Sequence, residues 1–196
     1  VLAERGVPVP ETVMIRSPKD LHAALDWIGG VPAILKLLQG TQGIGVMLVD
    51  SVQAAESVLD AFWSLGQNIL IQEYIGEAAG SDLRVLVIGG RVVASMKRVA
   101  QAGDFRANIH RGATGMQVRL TLEQERVALR AVKILGLSIA GVDLLEGKDR
   151  PILLEVNSSP GFQGLEKATG QDIAGEMVRH VLSLGEPRST LFHSDD

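Results

Sequence analysis

Between Ile139 and Gly161 the chain reads IAGVDLLEGKDRPILLEVNSSPG, and no other stretch narrows the fold so far. Two runs rich in Ile, Leu and Val flank a polar turn containing Gly147, Asp149 and Pro151, which is the pattern of a β-hairpin. Three polar residues interrupt the apolar runs: Asp143 in the first, Glu155 and Asn157 in the second. Side chains alternate faces along a strand, so Glu155 and Asn157 share one face. Pairing that is symmetric about the turn sets Asp143 opposite Glu155 on that same face. Like charges facing one another destabilise a sheet, and unpaired buried carboxylates are costly. The arrangement therefore asks for a cation. Two carboxylates and an amide oxygen suit a hard divalent ion, and Mg²⁺ is typically held by one or two carboxylates together with substrate phosphates. The bland alternative is a hairpin whose charged face is simply solvated. Against it stands Ser158-Ser159-Pro160-Gly161, which reads as a loop held close to a ligand.

The totals limit the remaining choices. A chain of 196 residues can form one large domain or two small subdomains. A net charge of −4 argues against a general nucleic-acid binder. The absence of cysteine removes disulfides and thiolate metal sites and suits a cytoplasmic protein. His22, His110, His180 and His193 show no zinc-ligand spacing. No apolar run reaches the ~18 residues of a membrane span, and no signal peptide is visible, so no membrane partner is expected. The chain opens at Val1, within what reads as a helix end, and is expected to be a fragment lacking upstream sequence.

A phosphate-binding element is needed if the hairpin holds Mg²⁺, and residues 33–49 offer one. Ala33–Leu38 reads as a short apolar strand with Lys36 in its middle, a costly place for a lysine unless it meets an anion. An edge-strand lysine snorkelling to water is the alternative. Gly40-Thr-Gln-Gly43-Ile-Gly45 then turns the chain into a strand over Val46–Val49. Glycines let backbone N–H groups approach phosphate oxygens, though an ordinary tight turn would use them too. The turn is not a P-loop, because no Gly-Lys-Ser/Thr opens a helix. It is not a dinucleotide fingerprint either, because a strand follows.

Elsewhere the pattern alternates helix and strand. Ser17-Pro18 opens a helix over Lys19–Ile28, and Ser51 caps one over 51–65 with Val52, Ala55, Leu59, Phe62 and Leu65 as its apolar stripe. Asn68–Ile75 reads as a buried strand running into the small-residue linker Gly76–Gly80, where a subdomain boundary is expected. Asp82–Ile88 and Arg91–Val99 form a second hairpin across Gly89-Gly90. From Arg84 to Arg111 six basic residues (Arg84, Arg91, Lys97, Arg98, Arg106, Arg111) meet one acid, Asp104, which marks the place for anions. Thr121 with Gln124 makes a capping box for a helix ending near Leu135, and Gln171–Leu184 reads as a last amphipathic helix. Residues 186–196 read as a flexible tail.

Taken in order, the strand lysine, the motifs GTQGIGV, QEYI, DLR, GDFRANIHRG and AGVD, then EVNSSPG and LEKATGQDIAG, resemble the ATP-grasp superfamily, and within it the RimK branch. The resemblance runs to about Leu184. It implies an α+β, ATP-grasp fold of two α+β subdomains with antiparallel sheets enclosing an ATP cleft. The expected division is residues 1–75 with a lid hairpin at 40–45, residues 76–185 on the metal and substrate side, the tail, and an N-terminal domain upstream. It further implies that Lys36 contacts the ATP phosphates and that Gly40, Gly43 and Gly45 close over them. Gln72, Glu73, Tyr74 and Ile75 would line the adenine pocket, and Asp82 would take the ribose hydroxyls. Arg106, Ala107 and Asn108 would lie along the nucleotide, and Asp143, Glu155 and Asn157 would hold Mg²⁺, two ions being expected with Mn²⁺ as a substitute. Arg84 and Arg106 would serve catalysis, Arg84 at the transferring phosphoryl group or the acceptor carboxylate. Ala113 stands where the branch tends to carry a second glycine after HRG.

The implied activity is ATP-dependent carboxylate–amine ligation through an acyl phosphate, adding glutamate to the C-terminus of a small-subunit ribosomal protein in the cytoplasm, by a homo-oligomer of four chains. No side-chain nucleophile is required, which accords with a chain that has no cysteine and no serine–histidine–acid arrangement. Three alternatives remain at this point. A ligase of the same branch could join glutamate or another amino acid to a small molecule or an amino-group carrier protein. A phosphotransferase would stop after the first step, and an ATP-sensing module would take no step at all.

Overall fold

The computed structural model describes residues 1–38, 45–64, 66–107, 109 and 112–185. Two antiparallel sheets carry the chain, each with its own core. The first has the order β1-β4-β2-β3, built from β1 (Thr12–Ile15), β2 (Ala33–Leu37), β3 (Val46–Val49) and β4 (Ile69–Glu73). Helices α1 (Leu21–Ile28) and α2 (Val52–Trp63) cover one face of it. Alternation decides which residues they bury: Ala33, Leu35, Ile69 and Ile71 meet Leu21, Leu25, Ala55 and Leu59 in one cluster. The residues between them, Ile34, Lys36, Leu70 and Gln72, therefore belong to the face that the helices leave open.

The second sheet has the order β7-β6-β5-β8-β9, from β5 (Ser81–Ile88), β6 (Arg91–Val99), β7 (Thr114–Gln117), β8 (Ile139–Glu146) and β9 (Pro151–Asn157). One face packs on α3 (Leu122–Ile134), where Val127, Ala128, Ala131 and Val132 meet Leu83, Val85, Val142 and Leu144. The capping box expected at its start is present, with Thr121 and Gln124 bonded reciprocally. On the other face α4 (Gln163–Thr169) and α5 (Ile173–Gly185) cover one end, through Leu165 and Ile173 against Leu86, Ile88, Ala94 and Met96. The opposite end of that face carries Asp82, Arg84, Arg98 and Asp143.

Several boundaries move. The first helix begins with a 3₁₀ turn over Pro18–Asp20, and the strand expected over 68–75 is ordered as a strand only at Ile69–Glu73. Leu65, the last residue of the stripe expected on α2, lies outside the described residues, as does the tail 186–196. Residues Leu2, Val7 and Val9 pack on the α3 core of the second sheet, and Leu153 N–H donates to Pro8 C=O at 2.7 Å. The start of the chain is thus joined to the second sheet, although it precedes the first in sequence. No described helix is long and apolar enough to cross a membrane.

Candidate nucleotide and metal site

The hairpin that opened the argument is β8–β9, and its register sets Asp143 against Glu155 and Gly141 against Asn157. Asp143, Glu155 and Asn157 consequently share one face, the face that α3 does not cover. A β-bulge produces this. Pairing begins as Glu146↔Pro151 and Leu144↔Leu153, a register that would set Asp143 against Leu154 if carried straight. The irregularity between Asp143 and Leu144 absorbs Leu154 as an extra residue and brings Glu155 opposite Asp143.

Asp143 is buried, and cations surround it. Arg84, its direct partner on β5, donates from Nε to Oδ1 and from Nη2 to Oδ2, the latter at 2.8 Å. Arg98 Nη2 approaches the same Oδ2 at 3.0 Å. Arg98 also donates to Asp82, Nε to Oδ1 and Nη2 to Oδ2, both at 2.6 Å. Burial pushes the Asp82 carboxyl up, to about 6, against the pull of Arg98. Burial works against the charge of Arg98, yet the Asp143 and Asp82 carboxylates hold its pKa above the ordinary value. Two aspartates and two arginines thus balance one another on the covered side of the site, while Glu155 is exposed.

Lys36, on the open face of the first sheet, lies within electrostatic reach of Glu155. Burial lowers its pKa, and the carboxylate of Glu155 acts in the opposite sense across the gap. Gln72, on the same open face, donates from Nε2 to Thr12 Oγ1 at 2.8 Å. A cavity of about 390 Å³ runs between β1, β4 and β9 and is lined by Thr12, Gln72, Leu154 and Glu155 among others. The larger hollow of about 550 Å³, between β6, β7 and the start of α3, contains none of the residues expected at the site.

The remaining expected residues fall as follows. Gly45 sits at φ 79°, and a Cβ there would lie 3.0 Å from the Leu37 side chain, so glycine is required where the hairpin closes. Gly40, Gly43 and Asn108 lie outside the described residues. Glu73 accepts from Glu11 N–H at 3.2 Å, Ile75 is buried, and Tyr74 follows the end of β4. Arg106 lies over the Phe105 ring, donates from Nε to Asp104 at 2.9 Å, and reaches Val46 C=O on the first sheet at 3.4 Å; Ala107 beside it is buried. Asp82 has both oxygens engaged by Arg98. Arg98 is expected from the sequence only as one of the six basic residues of 84–111 that mark the place for anions, with no individual role. Arg98 shares a face with Met96 on β6, directly opposite Asp82 and two register positions from Arg84, in a pairing that follows the irregularity between Leu86 and Val87.

The donor set fits a hard divalent ion. Asp143 and Glu155 supply two carboxylates and Asn157 a neutral oxygen, and phosphate oxygens are what such a set lacks. Among the described residues no group of three or more His, Cys, Asp or Glu gathers to hold a metal, so the set here is two carboxylates and an amide.

The RimK-like ATP-grasp domain matches residues 1–181. A protein of Pseudomonas fluorescens named probable alpha-L-glutamate ligase is 47% identical over 190 residues, which is 97% of this chain and 63% of that protein. The chain thus spans under two thirds of the length of that relative. A RimK domain ATP-grasp protein from Sphaerobacter thermophilus superposes with a TM-score of 0.71 at 26% identity, over 91% of this chain and 63% of that one. The ATP-grasp ligase PsnB, solved with a minimal precursor, Mg and ADP, shares the fold at a TM-score of 0.73 and 23% identity, over 93% and 55% of the two chains. With two antiparallel sheets and that family match, the chain belongs to the RimK-like ATP-grasp family.

Proposed function

We propose that this chain is the nucleotide-binding and catalytic portion of an ATP- and Mg²⁺-dependent carboxylate–amine ligase that adds glutamate to the C-terminus of a small-subunit ribosomal protein. The observation that carries the reading is the shared face of Asp143, Glu155 and Asn157, with Lys36 opposite and coupled electrostatically to Glu155. The relatives named probable alpha-L-glutamate ligase support the choice of amino acid. The PsnB structures that contain precursor peptide support a polypeptide acceptor.

In this reading Asp143, Glu155 and Asn157 hold Mg²⁺, which when bound neutralises charge on the phosphate oxygens. Lys36 and the Gly40–Gly45 turn meet the phosphates, and Gln72–Ile75 meet the base. Arg106, Ala107 and Asn108 line the nucleotide. A carboxylate is a poor acyl donor because its oxygen is a poor leaving group. The acceptor carboxylate therefore attacks the γ-phosphorus, ADP departs, and an acyl phosphate forms. The amine of glutamate then attacks the acyl carbon, inorganic phosphate leaves, and the amine loses its proton. The chain's contribution is to align the reactants and to meet charge as it shifts between oxygens, with Arg84 and Arg106 placed for that task. Excluding water protects the acyl phosphate from hydrolysis.

The test is incubation with ATP, Mg²⁺, glutamate and candidate acceptor peptides, read by mass spectrometry. Mass increments of whole glutamate residues at a peptide C-terminus are expected, together with ADP. Phosphate transfer that ignores glutamate would overturn the reading in favour of a phosphotransferase. Glu155→Ala and Asn157→Ala are each expected to abolish ADP formation; near-normal turnover in either variant would remove the metal assignment.

A further inference from the structure

Ile109 lies in the connection between β6 and β7, and its side chain packs on the cluster that holds Leu86, Met96 and Leu165. Two glycines make the room for it. A Cβ on Gly115 of β7 would lie 3.5 Å from Ile109 Cδ1 and 3.0 Å from Met96 Sδ, and one on Gly164 of α4 would lie 3.6 Å from Ile109 Cγ1. Glycine weakens a helix or strand from within, so space is what these two positions contribute. A side chain larger than a methyl at either would take the place of Ile109. Upstream in the same connection, Arg106 donates from its N–H and its Nε to Asp104 Oδ1 at 3.0 and 2.9 Å, and its Nη1 reaches Val46 C=O at 3.4 Å. Gly80 N–H donates to Phe105 C=O at 3.2 Å, which ties this segment to the linker between the sheets. Helix α4 follows the Ser158–Gly161 loop, which leaves β9 at Asn157. Ile109 thus joins the segment that carries Arg106 to the helix that succeeds the proposed metal face.

We infer that Ile109 is a positioning residue, whose seat between Gly115 and Gly164 pins the β6–β7 connection so that Arg106 stays where it reaches from the second sheet to Val46 of the first. The inference rests on the ligase reading, in which Arg106 lies along the nucleotide. The polar bonds of Asp104 and Gly80 exchange with bonds to water and fix the segment only weakly. Burial of an aliphatic side chain has no such substitute in water. A residue that only fills the cluster and one that positions Arg106 differ in what they affect. Filling acts on ADP binding through the whole cluster, and positioning acts on it through Arg106 alone.

Calorimetric titration of the purified protein with ADP in excess MgCl₂, joined to amide hydrogen exchange without nucleotide, separates the two. In Ile109→Ala the affinity is expected to fall at least about fivefold, because a small misplacement of a binding group is costly. Ile109→Val is expected to restore it to within about twofold of wild type, since it keeps most of the buried side chain. In an Arg106→Ala background, Ile109→Ala is expected to cost less than about twofold, because the two residues act through one chain of contacts. Met177→Ala removes a side chain packed on the same cluster from α5, and is expected to leave the affinity within about twofold of wild type. Exchange at the Arg106 N–H is expected to quicken at least about tenfold in Ile109→Ala, while exchange at Val132 in α3 stays as it was. Equal losses in both backgrounds, a loss in Met177→Ala that matches Ile109→Ala, or exchange at Arg106 that ignores position 109 would each overturn the inference. Should Ile109→Ala fail to fold, Ile109→Val carries the exchange measurement, where a smaller quickening at Arg106 is expected and an unchanged rate would overturn the inference. An Arg106→Ala variant that binds ADP as wild type does would instead overturn the place of Arg106 in the ligase reading, and exchange at Arg106 would still decide whether Ile109 pins the segment.

Discussion

Lys36 is held in an environment that disfavours its charge. Burial lowers its pKa, only partly offset by Glu155, so the folded protein binds this proton less tightly than the unfolded chain does. The sign of the linkage follows. The stability associated with Lys36 is complete above the ordinary lysine range and is lost as pH falls through the depressed folded value. At neutral pH the ammonium is therefore a burden on the fold that an arriving polyphosphate would relieve. Lys36→Met should melt at or above the wild-type temperature at pH 7, with the advantage shrinking as pH rises toward the lysine range. The same variant should bind ADP about ten- to a hundredfold more weakly, the loss expected for a charge-assisted contact of roughly 1.5–3 kcal/mol. Thermal denaturation across pH and titration with ADP check both halves. A variant that is less stable yet binds normally would show that Lys36 is structural.

At the scale of elements, the hairpin, helices α1, α2, α3 and α5 and the apolar strands of both sheets were legible because each rests on a strong period. Asp143, Glu155 and Asn157 stood out as polar residues in apolar strands, and alternation alone put the latter two on one face. What alternation could not show was the bulge at Leu154, because an extra residue in a uniformly apolar run leaves no mark in the pattern. Strand β7 escaped for the opposite reason: all four residues, Thr114–Gln117, are exposed, so no period distinguishes them. Helix α4 has about two turns with Gly164 inside it, and what holds it is tertiary, Leu165 buried against the second sheet. Arg98 belongs here too. Its ion pair with Asp143 joins residues two strands apart, which no local spacing encodes.

Gly141 shows how tightly the hairpin is fitted around the charged group. A Cβ at that position would lie 2.7 Å from Pro160 Cβ and 3.3 Å from Arg84 Nη1. The glycine thus lets the Ser158–Gly161 loop and the Arg84 guanidinium approach the same strand. Gly141→Ala should cost about 1–3 kcal/mol through overpacking. It should also loosen the contact of Arg84 with Asp143, seen as a weaker response of ADP affinity to Mg²⁺. Chemical denaturation and the paired titrations measure the two effects. Unchanged stability would mean that the loop moves aside freely.

On the scale of the whole molecule, each sheet closes its own core with its own helices, and the clusters share no residue. Among the described residues the direct bonds between the halves are few, and one of them is Arg130 to Arg5 C=O. Leu153 meets Pro8 just ahead of the first sheet, and Arg106 reaches Val46. The groups proposed to hold the nucleotide come from both halves, Lys36 and Gln72 from one, Asp143 and Glu155 from the other. A ligand that must be gripped from both sides binds only when both are folded, and so it stabilises them together. At a concentration a hundredfold above its dissociation constant, such a ligand adds about 2.7 kcal/mol. For a chain near 200 residues, each kcal/mol moves the melting temperature by about 2–4 °C. Mg²⁺ with ADP should therefore raise the melting point by about 5–10 °C and sharpen the transition. The rise should fall when EDTA removes the metal, and Glu155→Ala should show the smaller rise under both conditions. If ADP raises the melting point equally in EDTA and in Mg²⁺, the face formed by Asp143, Glu155 and Asn157 is not where the metal acts. If calorimetry shows one half melting unchanged while the other shifts, the nucleotide is gripped from one side only.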